Sequence, residues 1–442
     1  SSDLVGLVHQ LDQVHRLAFT LLGRACGEPW RVFELIGGEE FKKLRQQAEQ
    51  KSDKSFNSIY QTLRRITGWT QSRIDDLQAQ EWEWEKRLAF PIYENVTAIK
   101  PNDLVITDTY FDARQIRALA DQIELPPVEI IATYGGKYHG TVWKDLKKSL
   151  RKIVAHTGDN RHADYEQARR YGISAVHFRA GDVLGLETTL INAGHWDVAG
   201  LSRCVRLQNP YQRPDPAWNA WQKQAQYNIP FLLLCAARVK QYADENNYKH
   251  IWFLSRDTCL LQRVFSALYP SVSADTFYAS RQTYEEPSAS FIEYARSAAE
   301  RPGALFVDLH GTGKSVRSFV EKTNIELPYV YCALPDKLEA FSPSLYPLRY
   351  VGTELEVFNY DVQGRVIDVV DGKPIRTAIE YDKKLVVAAH AAVDCLLRHI
   401  FQPPEPPTEK SMHVLFSQIR HYAPRDLIKQ HQVHHRFIKM PE

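Results

Sequence analysis

Ala304-Leu305-Phe306-Val307-Asp308-Leu309-His310-Gly311-Thr312-Gly313-Lys314-Ser315 is the stretch whose reading decides the fold. A short apolar run ends in an acid, two glycines and two hydroxyls turn the chain, and Val316 to Lys322 follows a helical pattern. This is a strand, a tight turn and a helix N-terminus, which gathers free backbone N–H groups where a phosphate can sit. Two other strand ends carry groups suited to the same ligand. Phe253-Leu254-Ser255-Arg256-Asp257-Thr258 closes one apolar run, and Tyr278-Ala279-Ser280-Arg281 closes the next. Ligands on open parallel sheets bind beyond the C-terminal ends of the strands. Ser255, Arg256, Asp257, Ser280 and Arg281 are therefore expected to meet Asp308 and the turn Gly311, Thr312, Gly313, Lys314, Ser315. Two guanidinium forks facing such a turn suit a polyanion.

The turn admits three readings. As a P-loop, GxxxxGK[ST], its Gly-Lys-Ser end fits, but Asp308 takes the opening glycine position and sets a carboxylate against the phosphates. As an ordinary strand-to-helix turn, its glycines serve geometry alone. Thirdly, Thr312-Gly313-Lys314-Ser315 with Asp308 upstream resembles the loop of phosphoribosyltransferases. That resemblance implies a sugar 5-phosphate in the turn and the acid beside the ribose. The usual second acid of that loop is here Leu309.

The 442 residues suggest two or three domains, and 44% hydrophobic with 24% charged residues is the composition of a soluble globular protein. A net charge of +2 lacks the basic excess of a dedicated nucleic-acid binder. Six scattered cysteines, Cys26, Cys204, Cys235, Cys259, Cys332 and Cys395, show no paired spacing and read as reduced thiols. No secretory signal is visible, and the apolar run around Phe231 to Ala237 is too short to cross a bilayer. The expected location is cytoplasmic, with at most peripheral contact at the inner membrane face.

Residues 3 to about 95 read as a helical, cap-like region: Leu4, Val8, Leu11, Ala18 and Leu22 recur at helical spacing, and helices are expected over 39–50, 55–67 and 71–88. Between 96 and 212, strands near 104–107, 128–131, 153–156 and 175–178 alternate with helices, which argues for a parallel sheet. A second α/β module spans 213–401. It opens with a long helix over 216–246 that Pro230 should kink, and includes a β-hairpin addition over 350–382 with turns at Gln363-Gly364 and Asp371-Gly372. A Pro-rich linker and a basic tail fill 402–442, where His431, His434 and His435 lack a ligand partner at metal spacing.

In the first module, His156-Thr157-Gly158-Asp159-Asn160, continuing to Asp164, resembles the fourth motif of haloacid-dehalogenase-like hydrolases. Thr107-Asp108-Thr109 stands at the second motif and Lys137 at the third. The resemblance implies Asp159 and Asp164 as Mg²⁺ ligands, oxygen donors that suit a hard cation. The family opens with an apolar strand and DxD, but counting back from Thr20 puts Arg16 and Ala18 at the aspartate positions. Neither can form an aspartyl-phosphate. The segment reads as a helix, and the module as a degenerate, non-catalytic relative.

The two modules together, over roughly 14 to 380, resemble bacterial capsule and O-antigen proteins in which a dehalogenase-like domain precedes a phosphoribosyltransferase-like one. The fold class implied is α/β: two Rossmann-like parallel-sheet modules plus a small hairpin and helical addition. The function implied is transfer of ribose 5-phosphate from phosphoribosyl pyrophosphate to a glycan hydroxyl. In that scheme Mg²⁺ bridges pyrophosphate and ribose, Arg256 and Arg281 face the pyrophosphate, Asp308 lies by the ribose, and Asp257 is the candidate base. A separate phosphatase would remove the 5-phosphate. Two other functions stand beside this one: a Mg²⁺-dependent phosphatase, with Asp108 as rescue nucleophile, and a non-catalytic binding protein.

Overall fold

A computed structural model describes residues 14–18, 21–101, 103–149, 152–255, 257–335, 344–346, 349–350, 353–379 and 383–422. The chain is mixed α/β and divides into two units, Ser1–Val183 and Leu184–Glu442.

The first unit contains β1 (Val14–Ala18), β2 (Leu22–Arg24), β3 (Ala89–Pro91), β4 (Leu104–Thr107), β5 (Glu129–Ala132), β6 (Lys152–Gly158) and β7 (Ala175–His177). Five of these form a parallel sheet in the order β5-β4-β1-β6-β7. β1 is its central strand: Leu17 pairs with Leu104 on one side and His156 on the other. This corrects the helical expectation for that segment. Five residues enclosed between two strands show no period-two alternation, and a short apolar run does not separate strand from helix. The helical expectation for residues 3–13 lies outside the described residues.

Helices α1 (Pro29–Gln50), α2 (Phe56–Thr67) and α3 (Gln71–Leu88) separate β2 from β3. α1 is bent where Gly38 takes φ +69°, a conformation that costs glycine little. Ser55 and Thr70 cap α2 and α3 by accepting the amides of Ser58 and Arg73. α4 (Ala113–Gln122) follows β4 behind an Asp112–Gln115 capping box, and α5 (Thr141–Lys148) follows β5. A π-turn over Arg161–Glu166 runs into α6 (Gln167–Arg170) after β6.

The helical layer holds a buried charge network. Two nitrogens of Arg45 donate to Glu81 at 2.9 and 2.8 Å, and both side chains are fully buried. Tyr60 donates to Glu81 at 2.7 Å, Arg24 to Glu85 at 2.7 Å and Tyr110 to Glu85 at 2.9 Å. The Arg45 guanidinium also lies 4.9 Å from the Tyr110 ring centre. Tyr110 follows β4, so the network ties the helices to the loop at that strand's end.

Unit two opens with α7 (Gly185–Asn192), α8 (Trp196–Leu207), α9 (Pro216–Lys223) and α10 (Ile229–Glu245). A π-turn over Gln224–Asn228 joins the last two and places Pro230 in the first turn of α10. The helix runs on through the π-turn, and the Ala225 carbonyl left without an N–H from position 230 accepts the Ser202 hydroxyl at 2.8 Å. Then come β8 (His250–Leu254), α11 (Cys259–Leu268), β9 (Ser273–Phe277), α12 (Arg281–Glu285), α13 (Ala289–Ala299), β10 (Ala304–His310), α14 (Lys314–Thr323), β11 (Tyr329–Pro335) and β12 (Arg349–Tyr350). The strands form a parallel sheet in the order β12-β11-β10-β8-β9. After β9 the chain returns to the far side of β8, so the order reverses between β8 and β10, the switch point at which α/β sheets open a crevice. Residues 304 to 307 are buried, as expected of a strand covered on both faces.

The expected hairpin region begins instead with helix α15 (Thr353–Phe358), followed by β13 (Val366–Val370) and β14 (Lys373–Arg376). Asp371 and Gly372 both take positive φ, the two-residue turn that matches strand twist. After α16 (Lys383–His399) and the prolines comes α17 (Glu409–Tyr422), where a basic tail was expected. Met412, Leu415, Phe416 and Ile419 recur at helical spacing and are buried, so apolar burial holds this helix. His431, His434 and His435 lie outside the described residues. All six cysteines are free thiols. Among the described residues, no helix is long and apolar enough to cross a membrane.

Replacing Glu81 with Gln leaves the buried Arg45 guanidinium with Glu49, at 3.0 Å, as its remaining carboxylate partner, and the expected cost is up to about 3–5 kcal/mol. Replacing both as Arg45→Met/Glu81→Leu is expected to cost less than the sum of the single changes. Chemical denaturation of Glu81→Gln, of Arg45→Met and Glu81→Leu singly, and of the double variant checks both statements.

Candidate functional site

Beyond the C-terminal ends of β8, β9 and β10 lies a cavity of about 300 Å³. Its lining includes Ser255, Asp257, Ser280, Arg281, Asp308 and the whole turn from Gly311 to Ser315. Three strand ends separated in sequence thus meet at one crevice. Arg256 lies outside the described residues.

Asp308 follows Val307, the last β10 residue paired with β8, and is itself still paired with Tyr331 of β11. One carboxylate oxygen accepts the Leu309 amide at 2.7 Å and the other accepts the Tyr329 hydroxyl at 3.2 Å. Burial, then the neighbouring Asp257 carboxylate, pushes its pKa up to about 7, against the pull of the Leu309 amide, His310 and Tyr329. The acid therefore changes charge near neutrality. Burial also raises the phenols of Tyr284, Tyr329 and Tyr331, which line the same cavity and stay protonated as neutral donors.

The turn is shaped by its glycines. A Cβ on Gly311 would lie 2.7 Å from the Tyr331 ring, and Gly313 takes φ +79° at the start of α14. The Lys314 amide donates to Thr312 Oγ at 3.3 Å, and the Gly313 amide bonds to the Tyr331 hydroxyl. The first intrahelical bond from Arg317 ends on the Gly313 carbonyl, so the Ser315 and Val316 amides precede the ladder.

The serines are more committed to the backbone. Ser255 Oγ donates to the Ala279 carbonyl and accepts the Ala279 amide, both at 3.2 Å, clipping the end of β8 to the segment after β9. Ser280 caps α12, accepting the Thr283 amide at 3.4 Å. Arg281 stands exposed among the lining residues.

Sequence reasoning passed over His310, Tyr329 and Tyr331. The available signal was spacing: His310 is two residues after Asp308 and Tyr331 two after Tyr329, and residues i and i+2 share a sheet face. Asp308 pairs with Tyr331 across the ladder, which brings both sets together.

A cavity of about 680 Å³ in the first unit is lined by Thr107, Asp108, Lys137, Asp159, Asn160 and Asp164, among others. Its acids are already engaged. Asp108 accepts the Thr133 hydroxyl, the amides of Gly135 and Lys137 at 3.1 Å, and that of Tyr138 at 3.0 Å. Four donors converge on this carboxylate and fold the 133–138 loop around it. Asp164 is buried; one oxygen meets Lys137 Nζ at 2.7 Å and His156 Nε2 at 2.9 Å, and the other accepts the Asn160 amide at 3.0 Å. Burial alone would raise its pKa, but His156 and Lys137 hold it well below the ordinary carboxylate range. A Cβ on Gly158 would lie 2.3 Å from Asp164 Cγ, so only glycine admits this carboxylate. Asp159 is exposed, and its carbonyl accepts from His177 at 2.8 Å. Among the described residues, no group of three or more His, Cys, Asp or Glu is placed to hold a metal. Lys137 and His156 already meet the Asp164 carboxylate in this site.

No protein-family model matches the chain, and no curated protein matches it in sequence.

Burial and the Asp257 charge hold the Asp308 carboxyl at a pKa of about 7 in the folded chain, against the ordinary aspartate value of 3.8. Folding is therefore unpenalised below pH 4, loses stability as pH rises from there to 7, and levels off above. Asp308→Asn is expected to stabilise the ligand-free protein at pH 8 by roughly 2 kcal/mol and to change it little at pH 4. Denaturation midpoints at the two pH values check the sign.

Proposed function

We propose that the second unit is a glycosyltransferase domain that moves ribose 5-phosphate from phosphoribosyl pyrophosphate to a glycan hydroxyl in surface polysaccharide synthesis. The observation that carries this reading is the single crevice shared by Asp257, Arg281, Asp308 and the Gly311–Ser315 turn at the reversal of strand order. The Ser315 and Val316 amides and the Thr312 hydroxyl bind the 5-phosphate. Arg281, with Arg256, neutralises charge that develops on the leaving pyrophosphate. Asp308 faces the ribose, where its carboxylate steadies positive charge at C1. The Asp257–Asp308 pair fits a hard cation, because Asp308 is burdened by burial and by its neighbour's like charge. Mg²⁺ bound there would supply charge neutralisation of the pyrophosphate.

In the same reading the first unit is a non-catalytic relative of haloacid-dehalogenase-like phosphatases. Three features support this. The segment at the nucleophile position is the central strand, and its Val14-His15-Arg16-Leu17-Ala18 contains no acid. Its neighbours β4 and β6 carry the second and fourth motifs at their C-terminal ends. Asp108 and Asp164 are consumed by internal bonds. A separate phosphatase then removes the 5-phosphate. The proposed setting is the cytoplasm, with at most peripheral membrane contact.

Phosphoribosyl pyrophosphate, Mg²⁺ and a panel of methyl glycosides are expected to yield pyrophosphate and a phosphoribosylated glycoside, detected by mass spectrometry. Arg281→Ala is expected to lower kcat/KM by about 100-fold, the loss of roughly 3 kcal/mol from a charge-assisted contact. Absence of both donor binding and pyrophosphate release would overturn the transferase reading. Phosphomonoester turnover abolished by Asp108→Asn would overturn the non-catalytic reading of the first unit.

A further inference from the structure

The cavity is lined by more than strand ends and the phosphate turn. The segment after the five-stranded sheet contributes Glu356 of α15, Tyr360, Arg365 before β13 and Thr377 after β14. Arg365 is fixed at its main chain: its amide donates to Thr377 Oγ1 at 3.1 Å and its carbonyl accepts the Thr377 amide at 2.9 Å. A Cβ on the preceding Gly364 would lie 1.8 Å from the Thr377 carbonyl oxygen, so glycine is what lets the two chain segments close here. The Arg365 side chain is half-buried, and its Nε is shielded from solvent without a hydrogen-bond partner. Among the described residues, no carboxylate stands within ion-pair distance of it.

The other arginine of this hairpin is treated differently. Arg376 donates to the Gly364 carbonyl at 2.9 Å, faces Asp361 at 3.4 Å and lies over the Tyr278 ring. One guanidinium is thus tied into the fold, while the other is brought to a cavity with its charge uncompensated. A partly desolvated cation of this kind is costly until an anion completes it.

We propose that Arg365 selects the acceptor by holding a carboxylate on it, so that the glycan substrate is an acidic sugar; the inference rests on the transferase reading above. In that reading the donor's anionic groups already have partners, the 5-phosphate at the turn and the pyrophosphate at Arg281, Arg256 and Mg²⁺. Arg365 also comes from the same segment as the Glu356 carboxylate, which repels a diphosphate but accepts hydrogen bonds from sugar hydroxyls. A planar guanidinium fork matches a single carboxylate with two parallel bonds, which suits a hexuronic acid over a neutral hexose.

The test uses the full chain with phosphoribosyl pyrophosphate and Mg²⁺, reading pyrophosphate release. It compares methyl β-glucuronide with methyl β-glucoside, and methyl α-galacturonide with methyl α-galactoside. The wild type is expected to favour the acid of at least one pair by about 10–100-fold in kcat/KM, the worth of a charge-assisted contact. This comparison needs no variant to fold. Arg365→Ala is expected to remove the preference through KM, with donor affinity by calorimetry unchanged. Arg365→Lys keeps the charge and loses the fork, and is expected to retain part of the preference. A wild type that uses both members of each pair equally, or binds donor and turns over none of them, overturns the inference and leaves the donor site standing. So does a preference that survives Arg365→Ala. Weakened donor binding in both Arg365 variants would make the residue a donor contact and also overturn it. A wild-type chain that neither binds donor nor releases pyrophosphate takes both readings down together.

Discussion

The second unit depends on a carboxylate held where solvent cannot fully support its charge. Asp308 follows the buried apolar run Ala304–Val307 of β10, and after His310 the chain turns through Gly311 and Gly313. Its two internal donors do not offset the combined penalty of burial and the Asp257 charge. Such a group is stable in a fold only when the surrounding sheet fixes it, and it becomes useful when a positive charge arrives. The parallel ladder to β8 and β11 provides that support, and the Tyr329–Tyr331 pair on β11 supplies neutral donors around it.

The first unit shows the opposite treatment of similar residues. Asp108 and Asp164 stand at strand ends beside a cavity, yet each is saturated by donors from its own neighbourhood. A carboxylate with three or four fixed donors has its charge balanced by its own neighbourhood. The buried Arg45–Glu81 pair and the half-buried Arg24–Glu85 pair extend this pattern into the helical layer. Acids serve as fasteners throughout the unit.

Sequence reading recovered much of the alternation of strands and helices, because parallel strands such as 304–307 and amphipathic helices such as 56–67 carry strong local patterns. It failed where local pattern and tertiary placement diverge. Val14–Ala18 fits a helical spacing but is enclosed between β4 and β6. Residues 353–358 sit among strand-like neighbours yet form a helix, and 409–422 reads as charged chain until its buried face is counted.

The order of residues by itself determined which chemistry is available: a glycine turn after an acid, Ser-Arg pairs after apolar runs, and no acid in Val14–Ala18. Only the tertiary structure decided which of those groups are free to act. Asp308 and Asp164 look alike in sequence, each an acid beside a strand end with a glycine nearby. One faces a second carboxylate across a cavity, whereas the other meets a lysine and a histidine. That difference depends on long-range pairing of strands, which brings distant charges within bonding distance and leaves no trace in local spacing.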